Sequence, residues 1–281
     1  MLFRSCPDWA EEEAINRAVQ MSAATHCPTY VVHLSTHLGM ERIKQAQSLG
    51  QAVWTETCPQ YLLLSDAEMA RVGPLAKIGP PLRAEDGPDR EAMWRGLEQG
   101  HTSIVSSDHS PHPQELKQVG WDNIFVTPEG ASVPFGSPGL ETIVSLTYSE
   151  GVVKRGLPIW WLARVMSENP ARIFGLYPKK GVIQVGSDAD FLIIDPQTDR
   201  IITAKDHQSN AGYTLFEGWQ VSGTPWMTLL RGQVLLNQGN LEQRPGYGQL
   251  DRKSTRLNSS NVHTSYAAFS LKKKTTQKTT S

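Results

Sequence analysis

The chain has 281 residues, of which 39% are hydrophobic and 20% are charged, with 27 Lys and Arg against 28 Asp and Glu. This balance is typical of a globular protein and excludes a disordered or fibrous one. No apolar stretch reaches the roughly 18 residues that cross a bilayer, and the first residues lack a signal-peptide core. We therefore expect no membrane partner, and the predicted compartment is the cytoplasm.

The cysteines and the end of the chain carry little functional signal. Cys6, Cys27 and Cys58 show no C-x-x-C spacing, which favours three ordinary thiols. Residues 251–281 hold seven Lys or Arg and one acidic residue, a net charge of +6, which leaves −7 for the rest of a chain whose total is −1. This Ser- and Thr-rich segment predicts a disordered basic tail that is not native to the fold. A basic run alone is weak evidence for a nucleic-acid partner, and we expect none.

The first half of the chain alternates helical and strand patterns. Apolar residues recur at helical spacing over residues 9–24, after a capping signal formed by Asp8 and Glu11. The β-branched run at residues 29–34 predicts a buried strand. Further predicted elements are a helix at 39–49, a strand at 52–56, a helix at 89–98 and a strand at 103–107. This alternation implies βαβ units and a parallel sheet, which is an α/β fold.

The second half changes character twice. Residues 108–138 are rich in Pro, Gly and polar residues, which predicts a long loop without regular structure, placed where a site is expected. Helices are predicted at 139–150, 158–167 and 170–176, and short strands at 191–194, 212–217, 228–230 and 233–236. We therefore expect a β/α domain over residues 1–180, a small β module over 181–250 and the tail over 251–281.

Candidate site residues follow two of the predicted strands. His33 ends the first strand, at the edge of a parallel sheet where active sites collect, although a hydrogen-bonded core histidine is an equal alternative. Asp108, His109 and His112 follow a later strand and open the long loop. Metal ligation or acid–base catalysis would use these groups, and the alternative is a capping aspartate beside solvated histidines. The remaining histidines that we considered are predicted to lie on the solvated surface, namely His26, His37, His101 and His207.

Successive motifs of the chain resemble those of the cyclic amidohydrolases, a group that contains dihydroorotases, allantoinases, hydantoinases and dihydropyrimidinases. The resemblance runs in order over residues 3–249 and is closest to the hydantoinase and dihydropyrimidinase branch after Tyr148. The motifs are KIGPPLR (77–83), DREAMW (89–94), SDHSPH (107–112), FGSPGLET (135–142), SENPARIFGLYP (167–178), KGVIQVGSDAD (180–190) and FEGW (216–219).

The resemblance implies the C-terminal portion of a metal-dependent (β/α)₈ TIM barrel plus part of a small β-sandwich domain. It also implies a centre of two divalent metals, with zinc favoured, that hydrolyses a cyclic amide. By match of motif, His33 is a ligand of one metal, and Asp108 is a ligand of the other and the general base. Gly79, His112 and Gly136 match substrate-binding positions, of which His112 is the dihydroorotase-type contact to a carboxylate. Full-length relatives imply a homo-oligomer.

The sequence also departs from the family pattern. It lacks the His-x-His pair, the metal-bridging lysine and one histidine ligand, and Met1 aligns just after the fifth barrel strand. We therefore expect a fragment that binds metal weakly and has no turnover, because three strands cannot close an eight-stranded barrel. Phe135 stands where hydantoinases usually have Asn. Two alternatives stay open: an allantoinase or dihydroorotase, towards which residues 110–117 lean, and a dihydropyrimidinase-related scaffold protein without activity.

Overall fold

The computed structural model describes residues 6–242 and 245–249. Its first part is an α/β structure in which three short parallel strands are followed by helices. The elements of this part are α1 Asp8–Thr25, β1 Thr29–Val31, α2 His37–Ser48, β2 Val53–Thr57, α3 Pro59–Leu63, α4 Ala67–Val72, α5 Asp89–Gln99, β3 Ile104–Val105, α6 Gln114–Gln118, α7 Ile143–Leu146, α8 Ile159–Ala163 and α9 Asn169–Ile173. Helix α7 continues as π-helix over Thr147–Lys154, and α8 is joined to α9 by π-helix over Arg164–Glu168.

The three strands form one parallel sheet in the order β1-β2-β3. Thr29 is in register with Val53, and Glu56 with Ile104. The structure confirms the predicted α/β class. Within the described ranges these three strands do not close a barrel, and the TIM barrel stays a prediction. The predicted helix at 9–24 and the predicted strands at 29–34, 52–56 and 103–107 are confirmed, with the strand ends shifted by up to three residues.

Two hydrophobic clusters hold this part together. One lies between the sheet and the helices around it and includes Ile15, Met40, Val53 and Trp94. The other joins the region of Cys58–Leu82 to residues 202–221, with Tyr61, Phe216 and Val221 among its buried members. Apolar burial stabilises by about 25 cal/mol per Å². The second cluster therefore stabilises the packing of the β module against the α/β part.

The second part is a four-stranded antiparallel sheet in the order β4-β5-β6-β7. Its strands are β4 Phe191–Ile201, β5 Gln220–Leu230, β6 Gln233–Asn237 and β7 Asn240–Leu241. Strand β4 carries register shifts on either side of Ile194 and Asp195. The four strands lie within residues 181–250, where a small β module is expected. The long strands exceed the predicted ones because their exposed polar residues hide the strand pattern.

The strand predicted at residues 212–217 is wrong, because this segment is turn and irregular structure. Four consecutive side chains, from Tyr213 to Phe216, are buried, and a strand that alternates its faces could not bury them all on one side. The positive φ of Gly212 and Gly218 bounds the segment. Its apolar residues serve the second cluster instead of a sheet.

The long loop predicted at residues 108–138 is also partly wrong. It contains α6 and a 3₁₀ turn at Val119–Trp121, and an isolated bridge pairs His109 with Ser137. The one buried residue of α6 is Lys117, so the hydrophobic pattern did not indicate this helix. The expected disordered tail at 251–281 lies outside the described residues. Within those residues, no helix is both long and apolar enough to cross a membrane.

A buried ion pair joins α1 to two loops. The Glu11 carboxylate accepts hydrogen bonds from the Ser35 and Thr36 backbone N–H groups, at 2.9 and 3.0 Å, and from both hydroxyls. Arg83 donates to Glu11 at 2.8 Å, and the side chains of Arg83 and Glu11 are 2% and 11% exposed. Arg83 also donates to Ser35 Oγ and to the Cys6 carbonyl. The Glu11 carboxylate therefore joins α1 to the loop after β1, and through Arg83 it joins α1 to the loop that contains residue 83.

Replacing Glu11 by Gln should lower the free energy of unfolding by about 3–5 kcal/mol, because Arg83 would keep a buried and unpaired charge. Urea denaturation measures this change. Glu13→Gln is the matched control on the same helix, because Glu13 pairs with Arg17 at a surface where both side chains are more than half exposed, and its loss should stay below about 1 kcal/mol. Equal losses in the two variants would contradict the assignment.

Candidate active site

His33 and Asp108 leave the parallel sheet at the same edge. The N–H of Leu34 donates to the Glu56 carbonyl at 2.8 Å, and the N–H of Ser106 donates to the Thr57 carbonyl at 2.9 Å. Both loops are therefore fixed to the carboxyl end of β2, which lies between β1 and β3. His33 directly precedes the anchored Leu34, and Asp108 follows the anchored Ser106 by two residues, on either side of β2.

Both residues have a left-handed backbone. His33 has φ 42° and Asp108 has φ 44°, and the other non-glycine residues with positive φ, within the part of the chain that the structure describes, are His26, Arg231 and Gln238. A side chain in this conformation costs about 1–2 kcal/mol relative to glycine, and such strain clusters at functional sites.

The side chains of His33 and Asp108 are free to take a ligand. Both residues are partly exposed, and no hydrogen bond or ion pair joins the His33 ring or the Asp108 carboxylate to another described residue. The Asp108 backbone N–H donates to the Ser106 hydroxyl oxygen at 3.4 Å. An imidazole and a carboxylate at the same edge of a sheet are donors that zinc and similar divalent ions accept.

Cys58 lies between these two loops, at the end of β2, and is fully buried. Burial raises the pKa of its thiol well above the usual range, and the charges of Glu56 and Asp108 raise it further. The thiol is therefore protonated at neutral pH, which argues against a thiolate metal ligand. All three cysteines of the chain are free, as predicted.

The two histidines after Asp108 have different environments. Nδ1 of His109 accepts hydrogen bonds from the backbone N–H groups of Gly139 and Leu140, at 3.2 and 3.1 Å. His109 therefore fixes the loop opposite, and its ring is not presented to a ligand through Nδ1. His112 is partly exposed, and no described residue hydrogen-bonds to its ring.

The other predicted site residues, Gly79 and Gly136, lie on two loops that contact each other. The Gly136 N–H donates to the Lys77 carbonyl at 3.0 Å. A Cβ on Gly79 would meet the Phe135 ring at 3.4 Å, and Gly79 precedes a cis proline. A Cβ on Gly136, which has φ 107°, would lie 2.4 Å from the Cβ of Ser110. The close approach of the Asp108 loop to residue 136 therefore requires glycine there.

Two buried lysines hydrogen-bond to the backbone of these loops and of the segments next to them. The ammonium of Lys117 donates to three backbone carbonyls, those of Leu75 at 2.8 Å, Lys77 at 3.0 Å and Gly136. Lys77 donates to the Val133 carbonyl at 2.6 Å, and its Nζ lies 4.1 Å from the centre of the Phe135 ring. Burial lowers the pKa of Lys117 to about 7, and the nearby charge of Lys77 adds to this effect. Sequence reasoning missed both residues.

Two histidines that were predicted as solvated surface groups have polar partners instead. Nδ1 of His37 lies 2.8 Å from the Asp89 carboxylate, which also accepts from the His37 backbone N–H. The His101 ring lies 2.9 Å from the Gln47 side-chain oxygen. The sequence showed His37 and Asp89 near the starts of two predicted helices. It did not show that these two residues, 52 positions apart, pair with each other.

The metal-ligand set is incomplete within the residues that the structure describes. No group of three or more His, Cys, Asp or Glu side chains among them could hold a metal ion. A catalytic zinc usually takes three protein ligands. His33 and Asp108 are residue types that ligate zinc, but the described residues do not supply the third ligand that a catalytic zinc needs.

Residues 8–235 match the model of the amidohydrolase family. The chain belongs to this family. It is 40% identical over 245 residues to the L-hydantoinase of Paenarthrobacter aurescens and 34% identical over 252 residues to the D-hydantoinase of Geobacillus stearothermophilus, which covers 87% and 88% of this chain and 52% of each relative. The chain therefore spans about half the length of these curated relatives.

Solved structures give the same assignment. The structure superposes on the L-hydantoinase (dihydropyrimidinase) of Arthrobacter aurescens with a TM-score of 0.80 at 39% identity, and on a D-hydantoinase with a TM-score of 0.79 at 35% identity. Each match covers 86% of this chain and 52% of the other. The predicted resemblance to the hydantoinase and dihydropyrimidinase branch is confirmed.

Glycine should be better tolerated than alanine at the two strained positions. We expect His33→Gly and Asp108→Gly to be more stable than the corresponding Ala variants by about 1 kcal/mol, because the left-handed backbone penalises a Cβ. Urea denaturation of each pair measures this difference. At His112, whose φ is not positive, Ala should instead be the more stable by about 0.5–1 kcal/mol. The same order at all three positions would contradict the strain.

Lys117 should give stability a distinctive dependence on pH. Its pKa is about 7 in the fold against 10.5 ordinarily, so the unfolded state binds more protons between these values and the free energy of unfolding gains from Lys117 as the pH rises through this range. The free energy of unfolding of the parent protein minus that of Lys117→Met, measured in urea at pH 7, 8 and 9, should therefore increase with pH. A difference that is constant with pH would refute the lowered pKa.

Proposed function

We propose that this chain is part of a metal-dependent hydrolase that opens a cyclic amide ring, of the hydantoinase or dihydropyrimidinase type. The observation that carries the proposal is the placement of His33 and Asp108, which leave the sheet at the same edge, both with a left-handed backbone and both with side chains that make no hydrogen bond or ion pair to a described residue. The similarity to hydantoinases supports the substrate class, which is a five- or six-membered cyclic amide.

The donor types fit a divalent metal, for which we propose two zinc ions. His33 and Asp108 would be ligands, and the further ligands would come from outside the described residues, because those residues offer no third donor. When bound, such a metal lowers the pKa of a water ligand and so supplies a nucleophile at neutral pH. The weakness of a two-ligand site explains why we expect poor metal binding by this chain alone.

Asp108 would carry the proton in the reaction. Its carboxylate is free of protein hydrogen bonds, so it can accept a proton from the attacking water as a C–O bond forms at the amide carbon. It then returns the proton to the ring nitrogen as the C–N bond breaks. The peptide groups of Gly79 would hydrogen-bond the ring. Gly136, whose N–H and carbonyl are bonded to Lys77 and Lys117, would contact the ring, and the His112 ring is where a carboxylate-bearing substrate would bind.

Two further proposals concern assembly and location. We propose a homo-oligomer of the complete protein on the basis of the family resemblance, and a cytoplasmic location on the basis of the sequence. The scaffold alternative, a protein without activity, would not need the strained His33 and Asp108, because strain of this kind persists where function requires it. An allantoinase or dihydroorotase preference would appear in the substrate tests below.

The proposal is tested with the chain alone and with a chimera. In the chimera, residues 6–241 replace the matched segment of the L-hydantoinase of Paenarthrobacter aurescens, so that the relative supplies the rest of the site. We expect no turnover and weak zinc binding from the chain alone, and metal-dependent hydrolysis of hydantoin by the chimera. In the chimera, Asp108→Asn should lower kcat by about 100-fold to 10,000-fold, the usual contribution of a general base.

The control variant is His207→Ala, a histidine outside the site, which should leave turnover unchanged. Parallel assays with dihydrouracil, allantoin and dihydroorotate define the branch, and a clear preference for dihydroorotate would overturn the ordering. A folded and zinc-loaded chimera without activity on any of the four rings would refute the proposed function. Turnover by the chain alone at the rate of the relatives would refute the expected lack of ligands.

A further inference from the structure

Lys117 is buried at a place where a charged side chain needs an explanation. Its side chain is completely buried, and desolvation of an ammonium costs several kcal/mol in real proteins. An apolar residue on the inner face of α6 would avoid this cost. What the ammonium gains is three carbonyl acceptors, so that each of its three protons has a partner.

The three carbonyls belong to two different segments of the chain. Leu75 and Lys77 precede Gly79 and the cis proline, whereas Gly136 follows Phe135 on the loop opposite. One further bond, from the Gly136 N–H to the Lys77 carbonyl at 3.0 Å, joins the segments directly. The Lys77 carbonyl therefore accepts from both the ammonium and the opposite loop, and each bond helps to place the other.

We propose that Lys117 is a positioning residue that joins the segments of Gly79 and Gly136 into one rigid wall against which the cyclic amide binds. The inference rests on the proposed function, since it assumes that the peptide groups of Gly79 and Gly136 contact the ring. It goes further because Lys117 is fully buried and hydrogen-bonds the backbone of these segments. It would therefore act on substrate binding without touching the substrate.

Lys77 provides a natural comparison. It is also a fully buried lysine, but its ammonium donates to Val133 alone and otherwise lies against the Phe125 and Phe135 rings. It makes no bond to the carbonyl of residue 136. Removing its ammonium therefore leaves both the Gly136 bond to the Lys77 backbone and the three bonds of Lys117 in place.

The experiment uses amide hydrogen exchange in the chain as it exists, at pH 6.5. The reporter is the Gly136 N–H, and amides of β2 report global unfolding. In Lys117→Met the Gly136 amide should exchange at least tenfold faster relative to the β2 amides, whereas in Lys77→Met it should stay within threefold of the parent protein. An unchanged Gly136 amide in Lys117→Met, or an equal increase in both variants, would overturn the inference.

Two additions keep the test decisive. If Lys117→Met does not fold, Lys117→Gln keeps two donors and should give an intermediate increase in exchange, and no increase in that variant would count against the role. In the active chimera, Lys117→Met should raise KM for hydantoin at least tenfold and change kcat less than threefold. Faster exchange with an unchanged KM would refute the link to substrate, whereas an inactive parent chimera would refute the proposed function and leave the exchange result standing.

Discussion

The carboxylate of Glu11 is the point on which the geometry of the sheet edge depends. It holds the two residues that follow the His33 loop by backbone and side-chain bonds, and it pairs with Arg83, which ends the segment that begins at Lys77. The buried Glu11–Arg83 pair thus joins the first helix to the loop after the first strand and to the loop of Gly79. Such a pair contributes little net stability, but it fixes one arrangement because any other would leave a charge unpaired in the interior.

Much of the fold could be predicted from the sequence because local patterns determine it. The strand at Thr29–Val31 and the helix at Asp89–Gln99 follow directly from a β-branched run and from helical spacing that ends at a glycine. The segment from Tyr213 to Phe216 misled the prediction because its residues have strand propensity but pack into a distant cluster. Propensity describes the chain locally, and tertiary burial decides such cases.

The candidate site divides in the same way. His33 and Asp108 could be predicted because a polar residue directly after a buried strand is a local signal. Lys117 could not, because its partners lie about 40 residues upstream and 19 downstream, and all of them are backbone carbonyls without a sequence signature. The side chains that would meet a substrate were therefore visible in the sequence, and the groups that hold them in place were not.

The left-handed backbone at His33 and Asp108 has a consequence for the history of the chain. Drift under a requirement for stability alone would replace both residues by glycine, since glycine relieves the strain and no hydrogen bond or ion pair of either side chain with a described residue would be lost. Stability therefore does not explain the imidazole and the carboxylate at these two positions. The same strain predicts that methods which rank substitutions by stability will choose glycine at both positions first, and so will remove the two side chains of the candidate site.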